Sequence, residues 1–512
     1  MVIMKFTVKN LGISSGNISI VVLDDEDAFG LGSKPGDRIR IHELDSSGNP
    51  TGQFVVASVD LATGPGIVDK GEIGFYDEVR KKLHGGGMVM VELSSKPASF
   101  EYIKEKVRGK ELKTREIQEI INDVARGNLL PVEIAAYIVG LEVHGATNKE
   151  VVKLTRAMAA SGEVLDFGED VYDKHSTGGV PGNKVSLLIV PICAAAGLFM
   201  PKTSTRAITS PSGTADSMEV LANVAFSKEK IMEILAAENA GIFWGGAIDS
   251  APADNALIKI EKPLNMDPFP LMIASIACKK MAMGVKNLVL DIPCGTGTKF
   301  PTVHEGRKYA TRFKEIARMI GIDTVCLLTS AHQPVGHAVG PALEAREAIT
   351  LLRDFDAGPL SLRNKSCELA GILLEMSGKA PEGGGKDLAE EILRSGKAYE
   401  AMKRIIAAQG GDPGILPESI EVGPFVSEMR AKKTGIVTAV ENKHINRIAK
   451  IAGCPAAKKS GIVIEAKVGA KVKEGEVIFR IFSDSRTRLQ EAVEYYNAHP
   501  PQTFGGMTLE RI

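Results

Sequence analysis

The run Lys174-His175-Ser176-Thr177-Gly178-Gly179 sets a cation, two hydroxyls and two glycines side by side. These are the residue types that hold a phosphate. Glycines let backbone N–H groups approach the oxygens, hydroxyls add donors, and lysine supplies charge. The loop continues through Val180-Pro181-Gly182-Asn183-Lys184, and the apolar run from Val185 to Ala196 reads as a buried helix whose N-terminus adds its dipole. The order G-x-x-x-x-G-K-[ST] is absent, so this is not a Walker A loop. Taken alone, the segment also fits a plain tight turn between a strand and a helix.

A second segment repeats the chemistry. Lys202-Thr203-Ser204-Thr205-Arg206-Ala207-Ile208-Thr209-Ser210-Pro211-Ser212-Gly213-Thr214 crowds hydroxyls around two cations, and Ala215-Asp216-Ser217-Met218-Glu219 begins a helix with Thr214 or Ser212 as its expected N-cap. Two hydroxyl-rich helix starts, one strand apart, suit two phosphates: one as nucleophile, one on a substrate.

The elements that must position these loops follow from periodicity. At 512 residues the chain exceeds one hydrophobic core, so three or four domains are expected. Residues 1–86 alternate apolar and polar in short runs between turn clusters, a small β domain that ends near Gly85-Gly86-Gly87. Residues 96–165 turn helical, with Ile117, Ile120, Ile121 and Val124 at 3.6 spacing and Leu130-Pro131 opening the next helix. Residues 253–283 are expected to join that helical domain. Residues 170–425 alternate apolar strands, glycine loops and amphipathic helices, as in Leu288-Val289-Leu290-Asp291-Ile292 followed by Cys294-Gly295-Thr296-Gly297-Thr298. This is the phosphate-binding α/β domain, expected around a mixed sheet. From 432 to 512 the pattern returns to hairpins, an α+β domain that looks like a barrel-sandwich, lipoyl- or biotinyl-type module. No lysine there sits in a Met-Lys-Met or Asp-Lys-Ala turn, so it reads as a packing module, not a carrier. The fold class is thus multidomain α/β.

Bulk properties exclude several functions. The formal net charge is −1 and aromatics make up only 5% of residues, which disfavours a nucleic-acid partner. No stretch approaches the length of a membrane span, and the N-terminus lacks a signal-peptide pattern. The six cysteines are scattered without a C-x-x-C pair, as in a reducing, cytoplasmic protein. His332 and His337, with Pro334 and Gly336 between them, make a poor metal pair, and no metal is expected.

The segment Lys174 to Gly179, then Arg206, then Gly213-Thr214-Ala215-Asp216-Ser217-Met218-Glu219 resembles the signature of the thymidine/pyrimidine-nucleoside phosphorylase family, and the likeness runs from about 96 to the C-terminus. Within that family the N-terminal β extension, Gly179 to Lys184 and Arg206 to Ser210 look like the archaeal AMP phosphorylases. The resemblance implies that AMP and inorganic phosphate are the substrates, giving adenine and ribose 1,5-bisphosphate, with CMP and UMP also accepted. It implies no cofactor, phosphate being a co-substrate, and a homodimer or larger homo-oligomer.

Carried over residue by residue, it assigns the nucleophilic phosphate to Lys174, Ser176, Ser186, Ser204 and Thr214. The nucleotide falls to Gly179, Thr205, Arg206, Ala207, Ile208, Thr209, Ser210 and Thr214, with Lys299 as a further substrate ligand. Ser275 and Lys279 match a Ser-x-x-x-Lys pair that contacts the base, at i and i+4 on one helix. One departure matters: where nucleoside phosphorylases carry an arginine that reads a pyrimidine carbonyl, this chain has Glu261. That fits a purine or broader base choice. A departing adenine needs a proton, and Asp254 and Asp267 compete to supply it; resemblance points to Asp267. A plain nucleoside phosphorylase, an anthranilate-type phosphoribosyltransferase and a non-catalytic scaffold are the alternatives.

Overall fold

The structure is a computed structural model that describes residues 2–505 apart from 17, 65, 84–86, 208–209 and 249. It divides into two compact units: Met1–Glu163 with Ala251–Lys279, and Val164–Ser250 with Lys280–Ile512.

In the first unit, six strands close a barrel: β1 (Ile3–Asn10), β2 (Ile20–Asp24), β3 (Arg38–Leu44), β4 (Pro50–Ala62), β5 (Glu72–Phe75) and β6 (Met88–Leu93), in the order β1-β5-β2-β4-β3-β6. Alternation fills its interior: Val21 and Leu23, Ile39 and Ile41, Ala57 and Val59, and Val89 and Val91 are all buried two residues apart. The closing strand, β6, follows the glycine run at which the sequence pattern ends the domain. It pairs antiparallel with both β1 and β3 and so leaves no edge.

The rest of this unit is helical. Thr114–Arg126 buries Ile117, Ile120, Ile121 and Val124, and stops where Gly127 takes φ 70°. Pro131–His144 opens on proline, which has no N–H to lose there. Asn148–Ala159 is capped by Thr147, with Glu150 reaching back. Glu150 also neutralises the buried Lys106 at 2.9 Å. Pro252–Leu264 belongs to the same unit, packing on all three of these helices. Glu133 serves twice: it accepts from the Leu130 N–H at its own helix start and pairs with Arg38 of β3.

The second unit is built on parallel strands: β7 (Val171–Ser176), β8 (Met200–Ser204), β9 (Ala240–Trp244), β10 (Val285–Cys294) and β11 (Asp323–Ser330). The order β11-β10-β7 continues through a Val171–Phe199 bridge toward the β8–β9 pair. Every one of these ladders is parallel, which corrects the expected mixed sheet. Helical connections return the chain to the same end before each new strand, so neighbours run the same way. Leu288, Val289 and Leu290 are all fully buried, as strands covered on both faces must be. The helix Ser186–Ala195 is buried on every side through Cys193.

The chain ends in two antiparallel sheets. One comprises β12 (Ala338–Val339), β15 (Gly461–Ile464), β17 (Val477–Ser483) and β13 (Phe425–Arg430). The other comprises β16 (Lys471–Val472), β14 (Gly435–Val440) and β18 (Gln502–Gly505). Helices Asn442–Ala452 and Arg486–Ala498 supply the apolar faces that pack on them. Strand β12 departs from the sequence division, since residues 338–339 fall within 170–425 yet pair with β15.

The Arg38–Glu133 pair is 5% exposed on both sides, so removing one partner strands a buried charge. Glu133→Ala is expected to cost about 3–5 kcal/mol, read as a lower denaturant midpoint, whereas exchanging the exposed Glu26 of the Lys70–Glu26 pair should change little.

Candidate active site

Strands β7 and β10 lie side by side with Ser176 opposite Asp291. Around these two strands six charged side chains are buried: Asp173, Lys174, Lys202, Lys280, Asp291 and Lys365. Asp173 receives Lys280 at 2.5 Å on one oxygen and Lys202 at 3.2 Å on the other. Asp291 receives Lys365 at 2.9 Å on an oxygen that also accepts from Asn183 at 3.2 Å, while Thr329 donates to its second oxygen at 2.6 Å. Lys174 stands 4.0 Å from Asp291. Four ammonium groups therefore face two carboxylates, an excess of two positive charges.

Burial and charge act together on these groups. Burial pushes Lys174 down to about 8 against the pull of Asp291, and pushes Lys202 down to about 7 against that of Asp173. Burial alone would raise Asp291, but Lys365, Lys174 and the Thr329 hydroxyl outweigh it and hold the carboxyl at about 2. Asp173 is likewise held below the usual carboxylate range, Lys202 and Lys280 overcoming its burial. The excess of positive charge gives this arrangement the chemistry to hold an anion.

Two loops lie over the cluster. After β7 the chain turns through Gly178 and Gly179 at φ 84° and 90°, and Asn183 donates to Ser176 Oγ at 3.1 Å, folding the loop back on the strand. A Cβ at Gly179 would sit 3.1 Å from Thr298 Cα and 3.2 Å from the Lys299 nitrogen, so glycine lets the loop after β10 approach. Lys299 itself is exposed beside it. Ser186 is buried as the first residue of its helix. Lys184 is turned away: fully buried, it pairs with Glu347 at 2.5 Å and donates to the Val335 and Ala338 carbonyls at 3.3 and 2.9 Å. Lys467, from beyond β15, donates to the Pro334 and Gly336 carbonyls of the same turn at 2.6 and 3.0 Å.

The second loop leaves β8 at Ser204, whose strand neighbours β7 through the Val171–Phe199 bridge. Asp216 gathers it, accepting from the Ala207 N–H at 2.6 Å and the Gly213 N–H at 2.9 Å. The N-cap of helix Thr214–Met218 is therefore Gly213, with no side-chain cap bond, a correction to the expected Thr214 or Ser212. Ser212 instead exchanges a hydrogen bond with Ser217 at 2.8 Å, and Ser210 donates to the Ser212 carbonyl at 2.9 Å. Thr205 and Arg206 are exposed; Arg206 pairs with Glu219 at 2.7 Å and lies 4.4 Å over the Trp244 ring. Ile208 and Thr209 lie outside the described residues.

The remaining candidates are in the other unit. Lys279 donates to Ser275 at 3.3 Å and pairs with the fully buried Asp254 at 2.6 Å. Burial pulls the Lys279 ammonium down, but Asp254 outweighs it and the lysine titrates above its ordinary value. Asp267 is exposed in the turn just before helix Phe269–Ala282.

Three family profiles match the chain: a glycosyl transferase family α/β domain over 168–399, the helical bundle domain of the same family over 100–162, and a pyrimidine nucleoside phosphorylase C-terminal domain over 436–500. The AMP phosphorylase of Methanocaldococcus jannaschii is 42% identical over 496 residues, covering 96% of this chain and 97% of the relative. That of Thermococcus kodakarensis is 44% identical over 513 residues and 99% of each chain. The chain belongs to the AMP phosphorylase family. Its fold alone is shared with an anthranilate phosphoribosyltransferase from Thermus thermophilus, at 22% identity and a TM-score of 0.52 over 60% of this chain and 98% of the other. Among the described residues no helix is long and apolar enough to cross a membrane, and no three His, Cys, Asp or Glu side chains group as metal ligands.

Sequence reasoning in this AMP phosphorylase family member missed Asp173, Lys280, Asp291 and Lys365. A signal existed for one of them: Asp291 interrupts the apolar run of β10, and a charge there is almost never buried unpaired. Nothing local marks Lys280 or Lys365.

The lowered lysines give two opposite pH trends. Without an anion, the unfolded chain binds more protons at these two positions between about pH 7 and the ordinary lysine range, so their contribution makes stability rise with pH there. With sulfate, whose charge is constant, the gain in melting temperature should be largest at pH 6.5 and shrink by pH 9 as Lys202 and Lys174 lose their protons. Differential scanning calorimetry at the two pH values checks both.

Proposed function

We propose that this chain catalyses phosphorolysis of AMP, with CMP and UMP as further substrates. Inorganic phosphate attacks C1′ of the ribose as the N-glycosidic bond breaks, giving the free base and ribose 1,5-bisphosphate. The observation that carries this reading is the buried excess of two positive charges at the ends of β7 and β10. It occurs in a chain 42–44% identical to AMP phosphorylases over nearly its whole length.

Lys174, Ser176, Ser186, Ser204 and Thr214 hold the attacking phosphate. Gly179, Thr205–Ser210 and Thr214 hold the nucleotide, and Lys299 takes its 5′-phosphate. Ser275 and Lys279 face the base. As the bond to the base breaks, positive charge builds on the sugar, and the bound phosphate stabilises it electrostatically. Asp267 gives the base its proton. Asp254 is the weaker candidate because its carboxylate already serves as the counter-ion of Lys279. Phosphate is a co-substrate, and neither a metal nor another cofactor enters the reaction. The enzyme works in the cytoplasm as a homodimer or larger assembly; six free thiols fit a reducing compartment. The two C-terminal sheets form a barrel-sandwich-like packing module with no carrier role.

A pyrimidine-nucleoside phosphorylase is the second reading, favoured by the Ser275–Lys279 contact and by the match over 436–500. Glu261, in place of a base-reading arginine, speaks against it.

Incubation with AMP should release adenine only when phosphate is present. Faster cleavage of thymidine or uridine would overturn the leading reading in favour of the second, and release without phosphate would indicate a hydrolase. Asp267→Asn should lower kcat by roughly 10²–10⁴-fold with little change in KM for phosphate, measured by steady-state kinetics.

A further inference from the structure

We infer that Lys280 and Lys365 set the ionic form that the anion pocket accepts: they neutralise Asp173 and Asp291, leaving Lys174 and Lys202 to demand a doubly charged oxyanion. The inference rests on reading this pocket as the phosphate site.

The geometry separates the four lysines into two kinds. Lys280 and Lys365 make the short contacts to the carboxylates, at 2.5 and 2.9 Å. Lys202 stands farther off at 3.2 Å and Lys174 at 4.0 Å. Asp291 has little capacity left for Lys174, because Thr329 occupies one oxygen while Lys365 and Asn183 share the other. All six groups are buried, so bulk water screens none of them. Two unneutralised charges in such a place are costly unless an anion enters with them. A dianion brings the cluster to neutrality; a monoanion leaves one charge over. Lys280 and Lys365 are thus positioning residues that act through the carboxylates they neutralise. Asp173 and Asp291 fix the total: each one removed raises the excess, as each lysine removed lowers it.

A charge-restoring pair of variants tests this, with binding of phosphate and sulfate measured by titration calorimetry on the full chain. Lys365→Met cuts the excess to one and should weaken both dianions by roughly tenfold or more. In turnover, KM for phosphate should rise more than kcat falls. Adding Asp291→Asn returns the excess to two and should recover most of the lost affinity, although it removes a second charged group. If the double variant unfolds at the same temperature as Lys365→Met yet binds dianions no more tightly, the inference is overturned. Lys280→Met with and without Asp173→Asn repeats the test on the other carboxylate and decides the matter where Lys365→Met does not fold. Dianion binding with rescue, but no AMP cleavage by the wild type, would sink the proposed function and leave this inference standing. Failure of the wild type to bind either dianion would sink both.

Discussion

Uncompensated positive charge, held out of water at the ends of parallel strands, is the constraint around which this protein is organised. Placing Lys174 and Lys202 in the interior costs free energy that apolar packing must offset. The protein offsets part of it with Asp173 and Asp291, and each carboxylate then needs a lysine of its own. The result is a buried group of paired charges beside two loops rich in hydroxyls, which hydrogen bonds such as Asn183 to Ser176 and Ala207 to Asp216 hold in shape. The first of these loops needs glycine where the loop after β10 approaches it: Gly179 holds a positive φ, and a Cβ there would press on the Thr298 backbone.

Much of the architecture was legible from periodicity. The alternating run in residues 1–86 supplied five strands of the barrel. The sixth, β6, lies past the expected end because it is needed to join β1 to β3. The 3.6 spacing of Ile117, Ile120, Ile121 and Val124 became a helix that buries those four residues. Periodicity carries direction poorly, however. It does not say which way a strand runs, so the parallel character of the central sheet was not readable. Nor did it reveal that Ala338–Val339, a two-residue strand, would join a distant sheet. Two residues carry no period at all.

The site was legible where chemistry is continuous in sequence. Lys174 to Gly179 and Lys202 to Thr214 announce themselves because glycine, hydroxyl and cation crowd together. Lys280 and Lys365 sit on helices otherwise built for packing, and their roles appear only when the sheet brings Asp173 and Asp291 to them. A similar limit applied to the cap of helix Thr214–Met218. A hydroxyl at the start of a helix is the ordinary capping signal, but Asp216 reaches back first and takes the N–H groups of Gly213 and Ala207.

The turn through residues 334–338 links parts of the molecule that the sequence keeps far apart. Its carbonyls are shared between Lys184 of the first glycine loop and Lys467 of the terminal sheets, and β12 immediately follows it. The terminal module is therefore no removable appendage. Cutting the chain ahead of β13 would strip β12 of its partner strand and the turn of one of its two ammonium clasps. The boundary that a domain diagram draws near residue 430 thus crosses a single compact unit of the fold.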